Sequence, residues 1–271
     1  SETMHHANLE KLKSLRLFGM VRALQELTGL DDRGRLDFDD QLALLIERET
    51  ADRANTALEM RLKRARLRQA ACFENLDLKA TRGLDKGLIR DLFTCRWICQ
   101  HRHLMLTGAT GTGKTWIACA LGNQAAREGF SVLYTRLSRL LDDIATARLG
   151  SGAGALMRRL ARVDLLILDD GMMSELTATQ RRDLMEIVDD RHDRGSIILA
   201  SQIPLSSWHR AIGDSTYTEA ILDRIVHVAY RIELQGDSLR KPARGGTARR
   251  AGRGGLPVRA RARGAGRTRP A

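Results

Sequence analysis

The sequence of 271 residues predicts an α/β fold: a parallel β-sheet sandwiched by helices, preceded by a small all-helical N-terminal domain and followed by a disordered C-terminal tail. The first observation is an alternation of short apolar runs with longer helical stretches between residues 103 and 200. The second is a glycine-rich segment that lies directly after the first of those runs and directly before a helix. The third is composition, because 43% hydrophobic residues suffice for a sizeable core.

The N-terminal region, residues 1–70, is expected to be helical. Leucines recur there at helical spacing, and they are Leu9, Leu12, Leu15, Leu24 and Leu27. A cluster of glycine and aspartate at residues 29–34 indicates a break. A second, long helix is predicted from an N-cap at Asp39 to about Gln69.

The last turns of this long helix carry five basic residues within eight positions. They are Arg61, Lys63, Arg64, Arg66 and Arg68. Such a cluster can contact the phosphates of DNA. A solvated helix face, balanced by acidic residues earlier in the same helix, is the alternative, and the pattern alone leaves both open.

The core, residues 71–239, is predicted to open with a linker at 73–83 and a helix at 84–100. Strands are then expected at 103–107, 131–135, 163–168 and 196–200, with helices at 115–128, 138–149 and 177–191. No apolar run approaches the ~18 residues that a membrane span requires, so no membrane contact is expected. Four cysteines are too few for a disulfide scaffold and indicate a reducing, cytoplasmic setting.

The net charge of +12 is unevenly distributed along the chain. Residues 240–271 contain eleven basic residues and no acidic one, which leaves only +1 for residues 1–239. This segment consists almost wholly of Arg, Gly, Ala and Pro, so it is predicted to be disordered. Two interpretations stay open: an arginine-rich arm that grips phosphates, or the product of read-through or an altered reading frame.

Residues 108–115 read GATGTGKT and fit the phosphate-binding loop of P-loop NTPases. The predicted nucleotide-binding residues are Gly108, Ala109, Thr110, Gly111, Thr112, Gly113, Lys114 and Thr115. The glycines let backbone N–H groups surround the phosphates, to which Lys114 adds a positive charge. The hydroxyl of Thr115 is predicted to be a ligand for Mg²⁺. A nucleotide and Mg²⁺ are therefore expected at this loop.

A second motif, LLILDD at residues 165–170, places two acidic residues at the end of an apolar strand. Asp169 is predicted to hold Mg²⁺ and Asp170 to polarise the attacking water. Many P-loop proteins have glutamate at the second position, and the shorter aspartate suggests slow or partner-stimulated hydrolysis. An ordinary strand–loop junction is the alternative interpretation.

The spacing of the motifs favours one class of P-loop NTPase. A complete strand–helix unit, residues 131–149, separates the phosphate loop from Asp169, as in the additional-strand ATPases. Gln202 follows the next strand and is predicted to sense the γ-phosphate, with a strand cap as the alternative. Arg224, near the end of a helix, is a candidate arginine finger for a neighbouring subunit. Its alternative is a surface salt bridge.

Taken together, these stretches resemble the IstB family of transposition helper ATPases, which are AAA+ proteins related to the DnaC-type helicase loaders. The resemblance covers roughly residues 9–241 and is carried by LKSLRLFGM (12–20), TCRWI (94–98), GATGTGKT (108–115), RRLARVDLLILDD (158–170), TATQRRDLMEIVDDR (177–191), ASQIPLSSWHRAIGD (200–214) and AILDRIVHVAYRIEL (220–234). It implies an ATP-hydrolysing homo-oligomer that binds double-stranded DNA, engages a transposase and directs insertion. It also implies the roles given above for the two motifs, Gln202 and Arg224.

Two features depart from the family pattern. Gly171 and Met172 follow the two aspartates, where the family usually has an aromatic residue and then glycine. The arginine-rich segment lies beyond the resemblance. Three alternatives remain at this stage: a DnaC-like helicase loader, a small-molecule P-loop kinase, and a DNA-binding nucleotide switch without turnover.

Overall fold

The computed structural model describes residues 2–29, 37–76, 83–172 and 174–236. All of them belong to one compact unit of the chain, Ser1–Leu239. The arginine-rich segment at 240–271 lies outside the described residues, and so do most of the predicted break at 29–34 and part of the predicted linker at 73–83.

The helices and strands alternate through the core as the sequence predicts. The N-terminal helices are α1 (Glu2–Ser14), α2 (Phe18–Gly29) and α3 (Phe38–Ala65), and the short α4 (Lys86–Phe93) and α5 (Arg96–Cys99) precede the sheet. The core continues with β1 (His103–Gly108), α6 (Lys114–Arg127), β2 (Val132–Arg136), α7 (Leu137–Leu149), α8 (Ala153–Arg162), β3 (Leu165–Gly171), α9 (Ala178–Arg191), β4 (Ser196–Ser201), α10 (Trp208–Ile212), α11 (Ser215–Val226) and β5 (Ala229–Leu234).

The five strands form one parallel sheet in the order β2-β3-β4-β1-β5. Strand β4 therefore lies between the strand that precedes the glycine-rich loop and the strand that ends in the two aspartates. This order confirms the predicted parallel sheet with an additional strand. Because parallel strands end at the same edge, the loops after β1, β3 and β4 converge there.

Two hydrophobic layers cover the sheet, which explains why its strands read as continuous apolar runs. Along β3, Leu165 and Ile167 pack on the α6 side, whereas Leu166 and Leu168 pack on the side of α7 and α9. All four side chains are fully buried. Burial on both faces holds β3 rigidly in the sheet, so the functional residues at its carboxyl end have fixed positions.

The N-terminal helices α2 and α3 are joined by a buried carboxylate. Glu49 of α3 accepts hydrogen bonds from the backbone N–H groups of Gly19 (2.8 Å) and Met20 (3.3 Å) in the first turn of α2, where N–H groups have no acceptor within the helix. A Cβ at Gly19 would lie 2.6 Å from the Cα of Glu49, so the close approach of the helices requires glycine.

Helix α3 differs from its prediction at both ends. Its N-cap is Asp37, whose Oδ1 accepts from the backbone N–H of Asp40 at 2.8 Å, and not Asp39. It ends at Ala65 instead of Gln69, because Arg66 adopts a left-handed conformation with φ of 53°. Leu67 then packs against Gly122 of α6. A Cβ at position 122 would lie only 2.9 Å from a methyl group of Leu67. Packing on α6 outweighs the helical propensity of the sequence.

Other differences arise where the sequence gives weak local signals. The single helix predicted at 84–100 is divided into α4 and α5 by Cys95, which has φ of 59°. Helices α8 and α10 and strand β5 are not among the predicted elements. Among the described residues, no helix combines the length and the apolar character that a bilayer crossing requires.

Candidate functional site

The glycine-rich loop joins β1 to α6 at the carboxyl edge of the sheet. Gly111 and Gly113 have φ of 88° and 101°, a conformation that favours glycine. A Cβ at Gly108 would lie only 2.4 Å from the carbonyl oxygen of Leu234 on β5. Two glycines thus permit the turn of the loop, and the third permits the close approach of β5.

The loop is held together by its own polar side chains. Lys114, the first residue of α6, is buried, and its Nζ donates to the carbonyl oxygens of Gly108 (2.6 Å) and Ala109 (2.8 Å). Thr112 is also buried and donates to the Ala109 carbonyl at 2.9 Å. The lysine therefore lies within the loop, at the N-terminus of a helix whose dipole favours anions.

Thr115 and Asp169 come from different elements and are in direct contact. The hydroxyl of Thr115 donates to Oδ2 of Asp169 at 2.8 Å, and the hydroxyl of Tyr134 donates to the same oxygen at 2.6 Å. Asp169 is fully buried. Burial raises the pKa of Tyr134, and the hydrogen bond to Asp169 raises it further, so the tyrosine stays a donor.

This donor set fits a Mg²⁺ ion that accompanies a nucleotide. A hydroxyl and a carboxylate are hard oxygen ligands, and Mg²⁺ usually takes only one or two protein ligands beside phosphate oxygens and water. The described residues contain no cluster of three or more His, Cys, Asp or Glu side chains suited to a metal ion. Thr115 and Asp169 would thus hold the cation together with the phosphates.

Asp170 lies at an irregularity in β3. The pairing of β3 with β4 shifts by one residue between Leu168 and Gly171, and Asp170 has φ of 52°. Its Oδ2 lies 3.4 Å from Nε of Arg136 and 3.9 Å from a terminal nitrogen of Arg68. The bulge therefore aims the second carboxylate at two arginines.

Gln202 contacts the phosphate loop from the neighbouring strand. Its Oε1 accepts a hydrogen bond from the hydroxyl of Thr110 at 2.6 Å. Ser201, buried at the end of β4, donates instead to the carbonyl of Gly171 at 2.9 Å. Of these two residues, only Gln202 is directed to the loop.

Arg224 lies apart from the phosphate loop of its own chain. Its guanidinium forms an ion pair with Asp189 of α9 and donates to the carbonyl of Ala220 at 3.2 Å. Its backbone lies beside His103, the first residue of β1, whereas the loop follows the last residue of that strand. A strand of this length separates the two by roughly 17 Å.

The five basic residues at positions 61–68 do not share one helix face. Nε of Arg61 donates to the carbonyl of Ala126 at 2.8 Å and anchors α3 on α6. Lys63 and Arg64 are exposed in the last turn of α3. Arg66 and Arg68 follow the end of that helix and line a cleft beside β2.

Two residues at this edge were not predicted from the sequence: Tyr134, which contacts Asp169, and Arg136, which contacts Asp170. Both lie at the end of β2, where Arg136 is paired with Asp169 in the register of the sheet. The predicted strand at 131–135 could have indicated both residues. If that strand pairs with β3, its last residues lie beside the acidic pair.

Known proteins similar to this chain were found by sequence. A model of the family of IstB-like ATP binding proteins matches residues 10–246. An insertion sequence ATP-binding protein of Sinorhizobium fredii is 44% identical over 239 residues, 88% of this chain and 98% of that protein. One of Pseudomonas fluorescens is 46% identical over 205 residues, covering 75% of this chain and 89% of that protein. One of Mycobacterium tuberculosis is 34% identical over 236 residues, covering 87% and 94%.

Solved structures share the fold. The crystal structure of DnaI matches with a TM-score of 0.52 and 21% identity, over 63% of this chain and 91% of that one. The structure of AMPPCP-bound DnaA from Aquifex aeolicus matches with a TM-score of 0.53 and 20% identity, over 64% and 53%. At these identities the similarity shows the fold alone, and it agrees with the predicted parallel sheet sandwiched by helices.

Proposed function

The chain belongs to the family of IstB-like ATP-binding proteins, and we propose that it hydrolyses ATP to control its own assembly on double-stranded DNA and to direct insertion by a partner transposase. The observation that carries the proposal is the contact between Thr115 and Asp169 at 2.8 Å, with Asp170 next in the chain. This contact brings together the phosphate-binding loop and the acidic pair, and ATP hydrolysis requires both.

Each residue of this edge has a separate role in the proposal. Lys114 neutralises the charge of the terminal phosphates, and the loop N–H groups orient them. Thr115 and Asp169 would hold Mg²⁺, which would supply positive charge against the charge that develops on the phosphate oxygens. Asp170 orients and polarises the attacking water. Gln202, which is hydrogen-bonded to Thr110, couples β4 to the conformation of the phosphate loop.

The position of Arg224 supports the proposal that the protein acts as a homo-oligomer. Since its own phosphate loop lies at the other edge of the sheet, Arg224 is suited to act in trans, at the γ-phosphate of a neighbouring subunit. The ion pair with Asp189 would then be exchanged for a phosphate contact. ATP hydrolysis would require a homo-oligomer with the nucleotide at subunit interfaces.

A mixing experiment tests assembly. Lys114→Ala removes the phosphate contact of a subunit but leaves its Arg224, whereas Arg224→Ala does the reverse. Each variant alone is expected to be inactive, and a mixture of the two is expected to recover part of the ATPase activity. A mixture as inactive as its components would contradict action in trans.

The choice of DNA and a transposase rests on the relatives, which are named for insertion sequences. The test is co-purification of the full chain, with ATP and duplex DNA, against an insertion-sequence transposase and against a replicative helicase. Capture of the transposase supports the proposal. Capture of the helicase alone would favour a loader and overturn the transposition role.

One observation favours a second candidate, a nucleotide switch without turnover. The carboxylate of Asp170 is engaged by Arg136 and lies near Arg68, so in this conformation it is not free to act on water. A switch would show DNA binding that depends on ATP and is abolished by Lys114→Ala, with no phosphate release under any condition.

A further inference from the structure

A basic cleft of about 610 Å³ opens beside the acidic pair, between the end of α3, the end of β2 and the helices α7 and α8. Five arginines line it, and this set is called the arginine cleft here: Arg66, Arg68, Arg136, Arg139 and Arg159. The sequence brings them from three separate segments. Only Arg66 and Arg68 were part of the basic cluster expected to contact DNA.

The charges in the arginine cleft are not balanced. Two acidic residues, Asp142 and Asp143, line it beside the five arginines. Asp170 lies outside the lining but forms ion pairs with Arg136 and Arg68. Within the described residues, Arg66, Arg139 and Arg159 form no ion pair, and all three are exposed. Clustered guanidinium groups repel one another, and a polyanion relieves this repulsion.

Both carboxylates of the acidic pair contact residues that line this cleft. Tyr134 lines the cleft and donates to Oδ2 of Asp169 at 2.6 Å, while Arg136 lies 3.4 Å from Asp170. A hydrogen bond with Tyr134 raises the pKa of Arg68, which places this arginine against the same tyrosine. Any ligand of the cleft therefore meets the residues that position the acidic pair.

We propose that the arginine cleft binds the phosphate backbone of DNA, and that a bound phosphate draws Arg136 away from Asp170 and so frees this carboxylate for ATP hydrolysis. The inference rests on the proposed function and deepens it by naming the DNA site and its coupling to the chemistry. Guanidinium groups bind phosphates through paired hydrogen bonds, and a nucleic-acid strand offers several regularly spaced phosphates to several arginines at once.

The pair between Arg136 and Asp170 is suited to such an exchange. The two side chains are 46% and 29% exposed, so water weakens their attraction. The bulge in β3 leaves Asp170 outside the regular ladder, so the side chain can turn without breaking a strand hydrogen bond. The pair between Arg136 and Asp170 would thus slow ATP hydrolysis until DNA binds the cleft.

The DNA site is tested with the double variant Arg139→Ala/Arg159→Ala in the full chain. Neither residue contacts the acidic pair, so basal ATP hydrolysis should be unchanged. Affinity for a labelled duplex, measured by fluorescence anisotropy, should fall roughly tenfold, and the slope of log affinity against log salt should decrease by about 2. The matched control is Arg158→Ala, which removes an exposed arginine from α8 outside the cleft.

The coupling is tested with Arg136→Ala. Hydrolysis without DNA should rise about twofold to fivefold, because the pair that restrains Asp170 is gone. Addition of DNA, at a concentration that saturates the variant, should stimulate it less than the wild type. Binding of a fluorescent ATP analogue, unchanged from the wild type, verifies that the variant folds.

The outcomes separate this inference from the proposed function. A wild-type chain that binds no DNA in any nucleotide state would overturn both. DNA binding by the wild type together with equal affinity in the Arg139→Ala/Arg159→Ala variant would overturn the cleft alone. Weakened binding combined with an unchanged DNA-free rate in Arg136→Ala would overturn the coupling.

Discussion

The hydroxyl of Thr115, at the start of α6, donates to Oδ2 of Asp169, at the end of β3, across 2.8 Å. The two expected ligands of Mg²⁺ are therefore held together by the fold itself. Preorganisation of this kind lowers the cost of binding the cation.

Replacement of Thr115 by valine removes the hydroxyl and keeps the shape of the side chain. The rate of ATP hydrolysis is expected to fall about 100-fold, with a higher concentration of Mg²⁺ required for half-maximal activity. A steady-state assay with Mg²⁺ titration measures both. Thr146→Val on α7, which removes a hydroxyl bonded to the Asp142 carbonyl, is the matched control and should behave as the wild type. An unchanged Mg²⁺ requirement in Thr115→Val would argue against the ligand role.

Gln202→Ala breaks the contact with Thr110 that joins β4 to the phosphate loop. Hydrolysis is expected to decrease about tenfold, whereas the affinity for ADP, which lacks the γ-phosphate, should change little. Kinetics and binding of a fluorescent ADP analogue separate the two effects. An equal loss of ADP affinity would mean that Gln202 only supports the loop.

The core of this site could be predicted from the sequence because it depends on short stretches with strong local signals. The glycines at 108, 111 and 113 and the residues Lys114 and Thr115 are contiguous, and Asp169 ends an apolar run. Strand alternation then predicted the parallel sheet, since fully apolar runs suit a sheet covered on both faces.

The remainder depends on tertiary packing that no local pattern reports. Arg66 leaves the helix because Leu67 packs on Gly122, so the basic residues at 61–68 are divided between a helix and a cleft. The contact of Arg136 with Asp170 follows from the register of β2 beside β3 and from a one-residue bulge. Neither the register nor the bulge has a sequence signature here.

Arg191 supports the opposite edge of the sheet. It is fully buried, and its guanidinium donates to the carbonyl oxygens of Leu160 (2.6 Å), Asp164 (3.1 Å) and Ser196 (2.7 Å). Arg191→Met removes all three hydrogen bonds and should lower the free energy of unfolding by about 3 kcal/mol.

Urea unfolding followed by circular dichroism measures this loss. The matched control is Arg194→Met, which changes an exposed arginine three residues later. The control should unfold at the wild-type urea concentration. Equal midpoints for Arg191→Met and Arg194→Met would contradict the structural role of Arg191.

His103 makes stability depend on pH. The pKa of this imidazole is lowered from 6.5 to about 4. Burial is the main cause, the nearby Arg191 and His192 add to it, and Asp193 and the Arg224 backbone act in the opposite sense. Its Nδ1 accepts a hydrogen bond from the backbone N–H of Ile197 at 3.1 Å, which requires the neutral ring.

Between pH 6.5 and about 4 the unfolded chain binds a proton at His103 that the folded chain does not. The stability that the neutral ring contributes is therefore complete above pH 6.5 and is lost as the pH falls through this window, by roughly 3 kcal/mol at its acid end. Urea unfolding at several pH values measures the slope, which His103→Asn should reduce. Equal slopes for the two proteins would exclude His103 as the source.

The most direct test of the account is phosphate release by the full chain with ATP and Mg²⁺, in the presence and in the absence of duplex DNA, beside Asp170→Asn. The wild type should hydrolyse ATP slowly alone and faster with DNA, and Asp170→Asn should bind ATP normally but hydrolyse it at least ~100-fold more slowly in both conditions. Wild-type phosphate release that DNA leaves unchanged, or that Asp170→Asn retains, would contradict the account.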